Sequence, residues 1–386
     1  MLIGIVGAPN KGKSTLFSAL TLNDVAIADY PFTTVKPNMG IAYATRPCVD
    51  RELGVKCEKN PQCVNGTRRI PVNVIDVAGL VEGASEGKGM GNQFLSDMSA
   101  ADALLVVADA SGRTDGSGNP CDSCDPTEDV KMVRREIAKW IASIVMRHMP
   151  QVSKKADGVG AIADALAGLR IGTDEIRFAI GVSALPGTMI SWSQEDSERF
   201  ASALIESVKP MVVVANKCDV KGSEGRLSML KSAFGETDVI GISAAIELAL
   251  AKAERQGMIS GTGPEFRITG NASEEQSKAL EYMRDFIRSS GRLSDVLGRA
   301  VFGIQDNIVV YPVEDENRMT DGAGRVLPDA VLMKRGSTAL ELAARVHTDI
   351  AKGMLYAIDA RSKMRLSKDY VLKDNDVIRI VSAARS

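Results

Sequence analysis

The chain has 386 residues, 45% hydrophobic and 25% charged, with 47 Lys and Arg against 49 Asp and Glu. Such a composition belongs to a globular protein of two or three domains, and a net charge of -2 excludes a globally basic nucleic-acid binder. No run nears the ~18 apolar residues of a membrane span. The opening MLIGIV is too short and uncharged for a signal peptide, and 6 cysteines point to reduced thiols in a cytoplasmic protein.

In chain order, an apolar strand over 2–6 leads through a Gly-rich turn into a helical pattern over 13–20. Further strand-like runs at 70–75, 104–108, 211–215 and 239–242 end at Asp76, Asp109, Asn216 and Ser243. Polar residues at strand C-termini mark the ligand-binding end of a doubly wound sheet. The spacing therefore predicts an α/β fold with a mainly parallel sheet. About a hundred residues separate Asp109 from Lys209, where one crossover helix would suffice. They read as helices over 128–149, 160–169 and 194–208, with Val130, Val133, Ile137, Ile141, Ile144 and Val145 at three-four spacing. An inserted helical subdomain over 127–207 is expected, led in by the loop GSGNPCDSCDP at 116–126. The nucleotide-binding domain then covers 1–126 and 208–305. A small α+β unit follows over 306–386, with strands at 308–313, 326–332, 355–358 and 377–381 and a helix over 339–351.

Residues 7–14, GAPNKGKS, fit the phosphate-binding pattern G-x-x-x-x-G-K-[ST]. The pattern lies between a strand and a helix, as its chemistry requires. The backbone of Gly7, Ala8, Pro9, Asn10, Lys11, Gly12, Lys13, Ser14 and Thr15 can wrap a phosphate at a helix N-terminus. Lys13 would reach the β- and γ-phosphates, and Ser14 would hold Mg²⁺. Asp76 opens DVAG at a strand end, where it would hold Mg²⁺ through water while Gly79 offers its N–H to the γ-phosphate. Asn216, Lys217 and Asp219 stand in NKCD. The Asp219 carboxylate can accept from N1 and N2 of guanine and would reject adenine by several kcal/mol. Asn216 would tie this loop to the phosphate loop, and Lys217 would lie along the base. Ser243, Ala244 and Ala245 could turn a backbone N–H toward guanine O6. The substrate expected from these residues is GTP.

These motifs resemble the Obg family of translation-factor GTPases and, within it, the archaeal members of the YchF branch. DYPFTTVKPN at 29–38, DVAGLVEGASEGKGMGNQFL at 76–95 and the helical insert carry the likeness. GSTALELAARVHTDIAKG at 336–353 and KDNDVIRIV at 373–381 look like a TGS domain, a β-grasp fold. The resemblance implies that Thr34 binds Mg²⁺ and senses the γ-phosphate, with Thr33 the adjacent alternative. It puts Leu80 where Ras-like GTPases carry a water-orienting glutamine, so slow intrinsic hydrolysis is expected. Gly83, Gly87, Gly89 and Gly91 suit a switch segment that orders on the γ-phosphate. Bacterial and eukaryotic YchF-like members usually lack the acidic guanine reader and favour ATP; Asp219 here argues for GTP. Asn10 sits where potassium-activated GTPases coordinate K⁺, although Asn also suits a turn. The resemblance also implies partners, the ribosome or ribosomal RNA or tRNA through the TGS-like domain, with Arg361, Lys363, Arg365 and Lys368 as the candidate RNA edge. No membrane and no DNA partner is expected.

The cysteines offer zinc ligands, but the sequence argues against a zinc site. Cys48, Cys57 and Cys63 precede one strand and Cys121 and Cys124 follow another, so the groups fall at opposite ends of the sheet and neither reaches four thiols. Cys218 reads as a small packed residue, and His148 and His347 as structural or surface groups. The rival readings are an ATPase of the same fold, a P-loop kinase, which would have no use for NKCD, and a nucleotide-gated binding protein with incidental hydrolysis.

Overall fold

Strand β1, Leu2–Val6, carries no charged or hydroxyl side chain and is buried over its last four residues, as a strand covered on both faces must be. The computed structural model describes residues 1–22, 39–57, 60–77, 79–80, 82–83, 98–152, 158–169, 171–185, 192–261 and 263–383. Around β1 lie β2 (Met39–Pro47), β3 (Cys63–Val64), β4 (Thr67–Asp76), β5 (Ala103–Asp109), β6 (Met211–Asn216) and β7 (Val239–Gly241). The order is β2-β4-β1-β5-β6-β7, with β3 antiparallel to β4. β1 runs parallel to β4 and β5, β5 to β6, and β6 to β7. The register sets Ile5 beside Asp76 and Asp109 beside Asn216, so the polar strand ends converge at one end of the sheet.

Helix α1, Lys13–Leu22, follows the phosphate loop. The long insert folds as α2 (Thr127–Val152), α3 (Gly158–Ala165), α4 (Thr173–Val182) and α5 (Gln194–Val208). Among the described residues its buried apolar side chains belong to the sheet's core. Val130, Val133, Ile137, Phe200 and Leu204 are buried in one cluster with Val6, Val106 and Val213 of the sheet. Sequence periodicity misses α4 because only Ile176 and Ala179 along it are buried, while Phe178 is exposed. Helices α6 (Ser223–Phe234) and α7 (Ala244–Arg255) complete the sheet's cover. Then come the short ladder β8 (Ile259–Ser260) and β9 (Arg267–Ile268), and helices α8 (Glu274–Ser289) and α9 (Leu293–Gly298).

The C-terminal sheet has the order β11-β10-β14-β12-β13, from β10 (Asn307–Val313), β11 (Val331–Lys334), β12 (Met354–Asp359), β13 (Arg365–Leu366) and β14 (Val377–Ser382). The central pair β10 and β14 is parallel and the outer pairs are antiparallel. β11 starts later than the expected 326, since Pro328 has no N–H to give a ladder. The expected helix over 339–351 is two, α10 (Ala339–Val346) and α11 (Thr348–Lys352). His347 takes an extended conformation between them and its Nδ1 accepts from the Asp349 N–H, so it is a cap.

The compact units divide the chain differently from the sequence expectation. One holds Met1–Ala42 and Asn73–Ala300, and the other holds Tyr43–Val72 with Val301–Ser386. Thirty residues that the sequence assigns to the nucleotide-binding domain thus fold with the C-terminal sheet. In that second unit Cys48, Val49 and Ile70 share a core with Val309, Tyr311, Val313, Leu327 and Val377. Arg46 grips both carboxylate oxygens of Asp374 at 2.7 and 2.8 Å, and the Asn60 amide donates to the carbonyls of Leu327 and Pro328.

Candidate active site

The phosphate loop leaves β1 at Gly7 and enters α1 at Lys13. Gly12 has φ +93, and a Cβ there would lie 2.3 Å from Asn216 Nδ2, so only glycine fits. That closeness is used: Asn216 Nδ2 donates to the Lys11 carbonyl at 2.9 Å, and its Oδ1 accepts from the Ala244 N–H at 2.9 Å. One buried amide thus joins the phosphate loop, the end of β6 and the Ser243–Ala244 turn. Ser243 caps α7, its Oγ accepting from the Ile246 N–H, while Ala245 is exposed.

Lys13 is 8% exposed, and its ammonium donates to the Ala8 carbonyl at 2.8 Å. Burial lowers its pKa, Asp76 opposes that and Lys11 adds to it. Such a buried cation gains from an anionic partner. The backbone of Gly79 passes close by, where a side chain would begin 3.3 Å from Lys13 Nζ. Ser14 Oγ donates to Asp76 Oδ2 at 2.8 Å, whereas Asp76 Oδ1 is buried with no hydrogen-bond partner among the described residues. A hydroxyl and a carboxylate with an open lone pair are hard oxygen donors that fit Mg²⁺. Thr15 is half-buried in α1. Thr33, Thr34, Gly87, Gly89 and Gly91 lie outside the described residues.

Sequence reading missed the network that joins Lys11, Asn10 and Lys217 to Asp109, Thr114 and Asp129. The Lys11 ammonium turns into the protein, 2.9 Å from Asp129 Oδ1 and bonded to the carbonyl and hydroxyl of Thr114, so only its backbone remains for a phosphate. Asp109, 1% exposed, accepts from Ser111, from Thr114 Oγ1 at 2.6 Å and from Lys217 Nζ at 2.8 Å. Burial would raise its pKa, but these bonds, that from Lys217 foremost, hold it below the usual carboxylate range. Lys217 also donates to the Asn10 carbonyl, and its φ of 65 is left-handed, a cost that neighbouring bonds must hold in place. Asn10 shares that conformation at φ 62, and its Nδ2 donates to the Gly118 carbonyl at 3.0 Å. The loop ahead of the insert is thereby fastened to the phosphate loop. In the same loop Cys121 and Cys124 form a disulfide, which corrects the expectation of reduced thiols there. Asp at the end of β5 was the signal available for this network.

Leu80 is 1% exposed and belongs to the main core, its N–H donating to the Gly7 carbonyl. Asp219 is half-buried past the end of β6, and beside it burial pushes the Cys218 thiol up to about 12.

Comparison with known proteins decides the family. Residues 2–152 match the family described as "50S ribosome-binding GTPase", residues 214–315 that described as "Obg-like GTPase YGR210-like, G4 motif-containing domain", and residues 324–382 the TGS domain. Over its whole length, and 100% of the relative, the chain is 47% identical to an uncharacterised GTP-binding protein of Methanocaldococcus jannaschii. The chain belongs to the Obg-like YchF family of P-loop GTPases. A solved GTP-binding protein of Pyrococcus horikoshii is similar to this YchF-family chain at TM-score 0.77 and 37% identity, over 99% of the chain and 100% of the neighbour. A protein named ribosome-binding ATPase YchF, from Bacillus subtilis, is 28% identical over 97% of each chain. The YchF-family member described here is therefore a P-loop nucleotide hydrolase with a C-terminal TGS domain. No helix among its described residues is long and apolar enough to cross a membrane.

Proposed function

We propose that this chain hydrolyses GTP to GDP and phosphate with Mg²⁺, and that it acts as a nucleotide switch on the ribosome. The guanine reading rests on one observation. Asn216 and Lys217 are locked to the phosphate loop, while the carboxylate of Asp219, two residues on, makes no hydrogen bond among the described residues. A carboxylate left open at this place suits N1–H and N2–H of guanine, and adenine would leave it unpaired. Ser14 and Asp76 would hold the magnesium, which supplies positive charge to the phosphate oxygens in the transition state. Lys13 and the amides of 8–15 neutralise further charge there. The ribosomal setting rests on relatives named ribosome-binding.

The names of those relatives also support a second reading, an ATPase of the same fold. Nucleotide competition separates the two. GTP should bind at least about 100-fold more tightly than ATP, given about 1–3 kcal/mol for each unpaired donor or acceptor. Asp219→Asn should weaken GTP and improve xanthosine triphosphate, which carries a carbonyl in place of the N2 amine. Equal affinity of the unaltered protein for GTP and ATP would favour the ATPase.

A further inference from the structure

The excursion 43–72 places four ligand-type side chains around one point, remote in sequence from the phosphate loop. The Sγ atoms of Cys48, Cys57 and Cys63 and a carboxylate oxygen of Asp50 all lie within 4.8 Å of one another. Cys48 Sγ stands 3.5 Å from Cys57 Sγ, and Cys57 Sγ is 3.1 Å from Asp50 Oδ2. A tetrahedral Zn²⁺ with Zn–S of about 2.3 Å and Zn–O of about 2.0–2.2 Å separates its ligand atoms by about 3.5–3.8 Å, so the cluster needs at most about 1 Å of adjustment between any two of them. We propose that Cys48, Asp50, Cys57 and Cys63 form a structural zinc site.

The loops that deliver these residues are tightly wound. The Asn60 N–H donates to the Cys57 carbonyl and the Cys63 N–H to the Asn60 carbonyl, which returns the chain on itself between two ligands. The Cys48 N–H donates to the Gly66 carbonyl, and Asp50 accepts from the Arg51 N–H. Cys48 and Cys57 are buried, while Asp50 and Cys63 are half-buried. Charge gives an independent argument. Three thiolates and a carboxylate around Zn²⁺ carry a net charge of about -2, with the thiol protons released to solvent. Arg68 faces Cys63 across the β3–β4 ladder and is completely buried. Its guanidinium lies over the Tyr311 ring and donates through Nη2 to the Leu327 carbonyl, while Nε and Nη1 have no hydrogen-bond partner among the described residues. A buried cation so poorly answered calls for a nearby anion, and the metal centre would supply one. The same cysteines lie in the core that the excursion shares with β10 and β14, so the metal would lock that packing.

The test is metal analysis of the full chain produced with zinc supplied. About one zinc per chain is expected after gel filtration. Replacement by Co²⁺ should give the intense visible bands of a tetrahedral ion together with thiolate-to-cobalt charge transfer. Asp50→Ala should weaken zinc, read by competition with a chromophoric chelator, by at least about 10–100-fold, a loss seen even for outer partners of a metal. The double variant Cys121→Ser and Cys124→Ser should keep its zinc and its cobalt spectrum. Should Asp50→Ala fail to fold, the cobalt spectrum of the unaltered protein still decides. A chain without stoichiometric zinc and without charge transfer overturns the proposal, as does a Cys48–Cys57 disulfide found by peptide mapping of protein prepared under reducing conditions.

Discussion

At the phosphate loop, Asn216, Lys217, Lys11 and Asp109 bind one another before any ligand arrives, whereas in the excursion 43–72 three sulfurs and a carboxylate face mainly each other. The first arrangement is a frame: most of its polar atoms answer to protein, and Asp76 Oδ1 is left open among the described residues, at the place proposed above for the metal. The second has like atoms gathered with little else to satisfy them. In both, the open valences say more about the ligand than the number of polar residues does.

The frame can be broken most severely at its centre. Asn216→Ala leaves the buried Lys11 carbonyl and Ala244 N–H unpaired, so unfolding free energy should fall by about 2–4 kcal/mol even without nucleotide. Urea titration of the apo protein measures this, and an unchanged midpoint would mean that the frame is not wired in advance. Leu80→Gln tests whether position 80 belongs to the core or to the chemistry. Burying an amide there should cost about 1–3 kcal/mol and leave single-turnover hydrolysis no faster; a faster, equally stable variant would place the side chain in the catalytic pocket.

A subtler probe is pH. Burial raises Asp129 to about 6, against about 3.9 in the unfolded chain. The folded chain therefore holds a proton there that the unfolded chain releases, and this group's contribution to stability declines as pH rises from about 4 to 6. Its amplitude should be about 3 kcal/mol. Asp129→Asn should remove that slope from denaturation curves, and identical slopes would show that Lys11 keeps the carboxylate charged throughout. The smallest effect concerns Asn10. With Nδ2 donating to Gly118, its Oδ1 is left as the acceptor a monovalent cation needs. Hydrolysis should be a few-fold faster in KCl than in NaCl at equal ionic strength, and Asn10→Ala should abolish the difference while still binding GTP. Equal rates in both salts would leave Asn10 a loop fastener.

Much of the nucleotide end was legible because its motifs are local. GAPNKGKS, DVAG and NKCD each sit on one turn after an apolar strand, where residue type and spacing carry the chemistry. The Lys11–Asp129 and Asp109–Lys217 pairs join residues more than a hundred positions apart, and no spacing rule reveals them. The basic run near the C-terminus keeps Arg361, Lys363, Arg365 and Lys368 exposed; Arg361 pairs with Glu52, Lys363 donates to the Glu316 carbonyl and Arg365 covers the Tyr356 ring, contacts the sequence could not show. The cysteine cluster was dismissed because four thiols were sought; the fourth donor is an aspartate two residues from Cys48.

The division of the chain has a bearing on how it is made. Residues 43–72 leave the ribosome early, yet the strands that cover them come about 230 residues later. At about 5–20 residues per second, that apolar segment waits roughly 10–50 s for its partners. The core holding Cys48, Val49 and Ile70 cannot close until β10 and β14 emerge, so the first stretch of the chain to be synthesised after α1 is among the last to reach its final packing. During that interval three cysteines stand uncovered on a nascent polypeptide. Early capture of a metal by ligands no more than fifteen positions apart would shield them from misoxidation and from association with other chains.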